Sequence, residues 1–200
     1  AKALLNKGFQ VNGSTTTVAK ISILKNQGIN PFLIDIPLSI NHENLESTHF
    51  SDSIVSFLKD SEILIIDIPP KLRGDSTAAI EKTFVKKIAT VIPFIEKSTV
   101  QNLIFVSSTS VYGEEQLIVT EMTLPQPDTE SGKQLIESEQ LLQNNSNFKT
   151  TSIRFGGLIG NDRQPGKYLA GRENLENPDA PVNLIHQNDC IAIILKILEI

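Results

Sequence analysis

Cysteine is almost absent from this 200-residue chain. The single Cys190 can form neither an internal disulfide framework nor a thiolate metal site. Histidine is scarce as well: His42, His49 and His186 stand at no ligand spacing, so no metal is expected. Tryptophan is missing, and tyrosine occurs only twice. Positive charge is not in excess. Against 23 Asp and Glu stand 18 Lys and Arg, a formal net charge of −5, which argues against a nucleic-acid partner, whose footprint should be basic. No apolar run approaches the roughly 18 residues of a membrane span, and no signal-peptide pattern opens the chain. The remaining composition, 40% hydrophobic and 20% charged, is that of a chain able to bury a core. The expectation is an α/β domain in a reducing, cytoplasmic compartment, without membrane contact.

Short β-branched runs alternate with helical patterns from end to end. A helix over 1–7 stops at Gly8, and a strand follows at Val11-Asn12-Gly13. A helical pattern over 15–27 stops at Gly28, and Phe32 to Ile36 reads as a strand. The spacing then predicts a helix over 52–59, a strand over 63–68 closed by Pro69-Pro70, and a helix over 77–96 that Pro93 should kink or break. Strands over 103–107, 151–155 and 182–186 follow, with helices over 129–143 and 190–198, the last capped by Asn188 or Asp189. Runs such as Ile63-Leu64-Ile65-Ile66, apolar on both faces, indicate parallel strands covered by helices on each side. The fold class is therefore α/β, a doubly wound parallel sheet of the Rossmann type with right-handed crossovers. In the order 3-2-1-4-5-6 the first strand is central. With Val11 in the second strand, the first strand and its glycine loop are expected ahead of Ala1, and the chain is expected to continue beyond Ile200.

Three segments carry a family resemblance. Val106-Ser107-Ser108-Thr109-Ser110-Val111-Tyr112-Gly113, after a buried strand, resembles the V-S-S-x-x-V-Y-G signature of extended short-chain dehydrogenase/reductases, the NAD-dependent epimerase/dehydratase family. Ser152 to Gly160 resembles the next strand and the nicotinamide-side loop, and Asn183 to Asp189 looks like a later V-H-V-D-D segment. The resemblance covers essentially the whole chain. Within the family, Arg154 to Gly171 looks most like a small bacterial subgroup of atypical members described as nucleoside-diphosphate-sugar epimerases. The family's catalytic pattern Y-G-x-x-K-x-x-x-E aligns with Ser131 to Glu139, which places Ser131 at the Tyr and Leu135 at the Lys. An alkyl hydroxyl is far less acidic than a phenol, and a Leu cannot lower a neighbour's pKa. Lys133 is two residues out of register, which turns it to another side of the helix.

The resemblance implies a single NAD(P)-binding domain over 1–200, with a small substrate-side portion over about 156–185. It implies Ser108 as the residue that bonds a substrate oxygen and leaves Tyr112 as the residual acid. Cofactor contacts are expected from Gly13, Ser14 and Thr15 after the second family strand, Asp35 and Ile36 after the third, Ile68 and Pro69 after the fourth, Ser107 after the fifth, and Phe155, Gly156 and Gly157 beside the nicotinamide. No acid stands at 13–17 to hold a ribose 2′-hydroxyl, so NADP is favoured over NAD. Arg163 and Arg172 read as solvated loop residues, His186 as a packed strand-end residue and Cys190 as a core residue. The expected partner is a small molecule, with a nucleotide-sugar among the candidates, and a homodimer is kept open. Three functions compete: an epimerase, dehydratase or reductase with non-standard acid–base residues; a catalytically inactive dinucleotide-binding redox sensor or interaction protein; and a flavodoxin-like scaffold without a dinucleotide, against which the segment Val106 to Gly113 argues.

Overall fold

The computed structural model describes residues 1–40, 45–70, 72, 81–174 and 181–199. The chain forms two compact units, Ala1–Arg154 and Phe155–Ile200. In the first, α1 (Lys2–Asn6) leads to β1 (Asn12–Thr15), α2 (Ala19–Asn26), β2 (Asn30–Leu33) and α3 (Leu45–Leu58). Then come β3 (Ile63–Ile66), α4 (Thr83–Glu96), β4 (Asn102–Ser108), α5 (Glu130–Gln143) and β5 (Lys149–Phe155). Strands β1 and β2 pair in parallel, Asn12 opposite Asn30 and Thr15 opposite Leu33. Strands β3 and β4 also pair in parallel, Ile63 opposite Asn102 and Ile66 opposite Phe105, with β5 on the far side of β4. Among the described residues no ladder joins β1 to β3. Helix α3 packs against the β1–β2 pair instead: Asn12 Nδ2 donates to the Phe57 carbonyl at 2.7 Å, and the Phe32 and Phe57 rings meet edge to face at 5.5 Å.

The core sits where the apolar stripes of α3, α4 and α5 cover β3 and β4. Leu58, Ile88, Ile95, Leu103, Phe105 and Leu142 are fully buried there. Each such side chain contributes about 1.5–3 kcal/mol relative to exposure. Helix α4 runs through Pro93 without ending, contrary to the expected break. The ring removes the hydrogen bond to the Ala89 carbonyl. Val91 and Ile95, buried on either side of it, hold both halves to the core.

Several boundaries also differ. Thr15 completes β1 rather than opening a helix, and its Oγ1 accepts from the Thr17 amide at 3.1 Å; α2 begins only at Ala19. Helix α3 starts at Leu45, a turn and more ahead of Asp52, and β2 ends at Leu33. The expected start of the next helix at Thr77 lies outside the described residues.

The second unit holds β6 (Gly157–Ile159), α6 (Pro165–Leu169), β7 (Leu184–His186) and α7 (Gln187–Ile197). Strands β6 and β7 are parallel, Gly157 opposite Leu184. The cap of α7 is His186, not Asn188 or Asp189: its Nδ1 accepts from the Asn188 amide at 3.2 Å. Asp189 falls in the first turn, where a carboxylate favours the positive end of the helix dipole. Cys190 is buried, as its apolar surroundings suggested.

A buried amide joins two helices of the first unit. Gln134 on α5, 1% exposed, accepts at Oε1 from the Phe84 amide at 3.1 Å and so satisfies a first-turn donor of α4. Gln134→Leu keeps the volume but strands that N–H. Denaturant unfolding should show a loss of roughly 1–3 kcal/mol.

Candidate functional site

Strand β4 ends in two serines with different surroundings. Ser107 is buried, and its Oγ has no hydrogen-bond partner among the described residues. Such a group costs free energy in isolation and calls for a partner from elsewhere. Ser108 Oγ accepts from the Ser110 amide at 3.1 Å and caps a 3₁₀ turn over Thr109–Val111. The cap uses the oxygen and leaves the O–H as a donor. Val111, with no exposure, pins the turn to the core. Across from it, the first turn of α5 approaches so closely that a Cβ on Gly132 would strike the Ser110 carbonyl.

Beyond the turn, Tyr112 joins a charged cluster. Glu139 on α5 has no solvent exposure, and Arg154 on β5 meets it at both carboxylate oxygens, Nη2–Oε2 2.6 Å and Nε–Oε1 3.1 Å. The remaining Nη1 donates to the Tyr112 hydroxyl at 2.7 Å, with the guanidinium carbon 5.2 Å from the ring centre. The Glu139 hydrogen bonds, more than any other cause, raise the Arg154 pKa above the ordinary arginine value. Arg154 therefore stays charged at any working pH. The phenol in turn reaches the Thr120 carbonyl at 3.4 Å. Tyr112 is thus tied to α5 and β5 through Arg154.

The positions aligned with the family's Tyr and Lys are occupied otherwise. Ser131 is half-buried, Leu135 is 3% exposed within the core, and Lys133 faces solvent. An ammonium at 135 would lie among apolar side chains. Neither position carries a phenol or an ammonium group.

The other predicted residues fall into separate groups. Because Ile66 pairs with Phe105, Ile68 and Pro69 leave the sheet beside Ser107 and Ser108. At the other parallel pair, Gly13, Ser14 and Thr15 close β1, and Asp35 and Ile36 follow β2, with the Ile34 amide bonded to the Thr15 carbonyl at 2.9 Å. In the second unit, Phe155, Gly156 and Gly157 lead into β6. The glycines there have packing reasons. A Cβ would come within 2.6 Å of Asn183 Oδ1 at Gly156 and 2.8 Å of Leu184 Cδ2 at Gly157. At Gly13 a Cβ would meet the buried Ile29 Cγ2 at 2.6 Å. Arg163 and Arg172 are exposed.

Within the first unit, the residues at the ends of the parallel strands fit a dinucleotide. The unpartnered Ser107 hydroxyl is the clearest sign. Hydroxyls such as those of Ser107 and Ser108 suit ribose and amide oxygens, and parallel strands present their ligands at this end. Among the described residues no group of three or more His, Cys, Asp or Glu is placed to hold a metal ion, and no helix is long and apolar enough to cross a membrane.

Fold and strand-end site together define a Rossmann-type α/β protein, and the comparisons agree. No protein-family model matches the chain. Protein YeeZ of Escherichia coli K12 is 29% identical over 201 residues, which cover 100% of this chain and 68% of YeeZ. UDP-glucuronic acid 4-epimerase from Bacillus cereus, solved with UDP-glucuronic acid and NAD, superposes at a TM-score of 0.74 with 17% identity, over 100% of this chain and 68% of that one. A functionally unknown conserved protein from Silicibacter pomeroyi DSS reaches 0.64 with 21% identity, over 97% of this chain and 61% of that one. The chain thus spans about three-fifths to two-thirds of these relatives. The fold expected from the V-S-S-x-x-V-Y-G segment is the fold found, shared with NAD-dependent epimerases, a dehydratase and a short-chain dehydrogenase/reductase.

Packing at Gly13 can be separated from ligand contact. Gly13→Ala should cost roughly 1–3 kcal/mol in unfolding experiments without any ligand, from overpacking against Ile29. Most of that loss should disappear in the Ile29→Ala background, as a double-mutant cycle would show.

Proposed function

We propose that this chain is the dinucleotide-binding part of an epimerase/dehydratase-like protein of the extended short-chain dehydrogenase/reductase family that lacks the family's Tyr–Lys proton relay. The observation that carries this reading is the end of β4, where Ser107 holds a buried hydroxyl with no partner inside the V-S-S-x-x-V-Y-G segment. Ser107, Ile68 and Pro69 would flank the dinucleotide. Gly13, Ser14, Thr15, Asp35 and Ile36 are the candidates for its adenosine end. The nicotinamide-side role of Phe155, Gly156 and Gly157 rests on the sequence resemblance alone.

When bound, the nicotinamide supplies hydride transfer to or from a carbinol or carbonyl carbon. The chain's own residues bind and orient. The Ser108 O–H is free to donate to a substrate oxygen while its lone pair caps the 3₁₀ turn. Tyr112 is the remaining phenol near this turn, yet its hydroxyl is bound to Arg154. A nucleotide-sugar is the favoured substrate class, by analogy with the UDP-glucuronic acid epimerase, and a small carbonyl compound the other. The missing acid at 13–17 favours NADP, whereas the relatives solved with a dinucleotide carry NAD and give that preference no support. A cytoplasmic location belongs to the same proposal.

A second reading, a dinucleotide sensor or interaction protein without turnover, is favoured by the burial of Leu135 in the core. Fluorescence titration of the protein with NADPH and NADH, followed by assays on UDP-sugars and small carbonyl compounds, separates the readings. Both nucleotides should bind, NADPH the more tightly, with little turnover. Failure of both to bind would overturn the proposal. Robust turnover abolished by Tyr112→Phe would instead establish a rewired enzyme with Tyr112 as its acid.

A further inference from the structure

Helices α3 and α4 are separated on their outer side by a groove of about 920 Å³, open to solvent and assigned to nothing above. That volume lies within the range of small-molecule clefts. Its floor is apolar. Val55, on the solvent side of α3, is 58% exposed, and Leu38 is 38% exposed. Phe94 is held edge-on to Phe50 at 5.5 Å, so this part of the floor is rigid.

The polar groups around the groove are unevenly satisfied. The hydroxyls of Thr90, Ser98 and Thr99 donate to the backbone carbonyls of Lys86, Ile95 and Ser61 at 2.9, 2.7 and 2.9 Å. Lys59, Lys86 and Lys97 are exposed on the lining, and their ammonium groups neither hydrogen-bond nor ion-pair with any described residue. Among the described residues, Asp60 is the single carboxylate on the lining. Glu96, next to Lys97 in sequence, is turned away to accept from Asn145 Nδ2 at 2.6 Å. Three ammonium groups against one carboxylate make this face cationic on a chain whose net charge is −5. Lys59 and Lys97 lie just ahead of β3 and β4, at the opposite end of those strands from Ser107. The groove is therefore separate from the strand-end site.

An apolar floor bordered by unpaired ammonium groups matches a ligand with an aliphatic tail and one anionic head. We propose that the α3–α4 groove binds an anionic amphiphile, a linear aliphatic carboxylate, with its tail over Val55, Leu38 and Phe94 and its head among Lys59, Lys86 and Lys97. The tail removes exposed apolar surface from water, and the head gains charge-assisted hydrogen bonds.

Calorimetric titration of the protein with dodecanoate below its micelle concentration tests this, with dodecan-1-ol as the uncharged probe of equal length. Dodecanoate should bind saturably, one per chain. Dodecan-1-ol, and dodecanoate on the Lys59→Glu/Lys97→Glu variant, should each bind about tenfold more weakly. Val55→Glu should weaken binding similarly by placing a carboxylate under the tail. The two lysines are exposed, so their variant keeps the test decisive if Val55→Glu fails to fold. No saturable binding, equal affinity for the alcohol, or undiminished binding to the lysine variant would overturn the proposal. Light scattering that shows a dimer broken by the same lysine variant, without dodecanoate binding, would assign the groove to a second copy and overturn it as well.

Discussion

A carboxylate with no solvent exposure sets the terms for the rest of the first unit. Glu139 can remain in the interior only if its charge is met, because an isolated buried charge costs several kcal/mol. Arg154 meets it from β5 with a two-point guanidinium contact and then extends to the Tyr112 hydroxyl. One guanidinium thereby ties helix α5, strand β5 and the segment leaving β4. Such a pair adds little net stability over apolar residues of the same shape, but breaking it from one side is costly. Its consequence here is geometric: α5 has one permitted register against the sheet.

That register explains the neighbouring features. With α5 fixed, Gly132 lies against the Ser110 carbonyl, Gln134 reaches the first turn of α4, and Leu135 is directed into the core. The helix face that would carry a proton relay is used for packing instead. At the end of β4 stand the buried Ser107 hydroxyl, without a partner among the described residues, and the Ser108 hydroxyl, whose oxygen already caps the 3₁₀ turn.

Much of the fold was legible in the sequence because its signals are local. Ile63 to Ile66 and Leu103 to Ser107 are apolar on both faces, and both lie in buried parallel strands. The helix expected over 129–143 is found as α5, with Thr129 as its cap: Thr129 Oγ1 accepts from the Gly132 amide at 3.1 Å. The misses came from tertiary context. Pro93 looked like a kink or a late break, and the helix runs on through it because burial on both sides outweighs one lost hydrogen bond. The close neighbour that each of Gly13, Gly156 and Gly157 has within its own unit was likewise not visible in the sequence. The Glu139–Arg154 pair was missed although a signal existed. Glu139 lies on the same helix face as Leu135 and Leu142, and Arg154 interrupts an otherwise uncharged strand between Thr150 and Phe155. A charge inside each of two apolar patterns is a reason to look for its partner.

The central claim is that the end of β4 is a dinucleotide site held in place by this charged pair and lacking a proton relay. Amide chemical-shift mapping during addition of NADP⁺ tests it most directly. The account predicts that the amides of Ser107, Ser108 and Ile68 shift with a common saturation curve and that Ser107→Ala weakens that curve. Shifts confined to other segments, with Ser107, Ser108 and Ile68 unmoved at saturation, would contradict it.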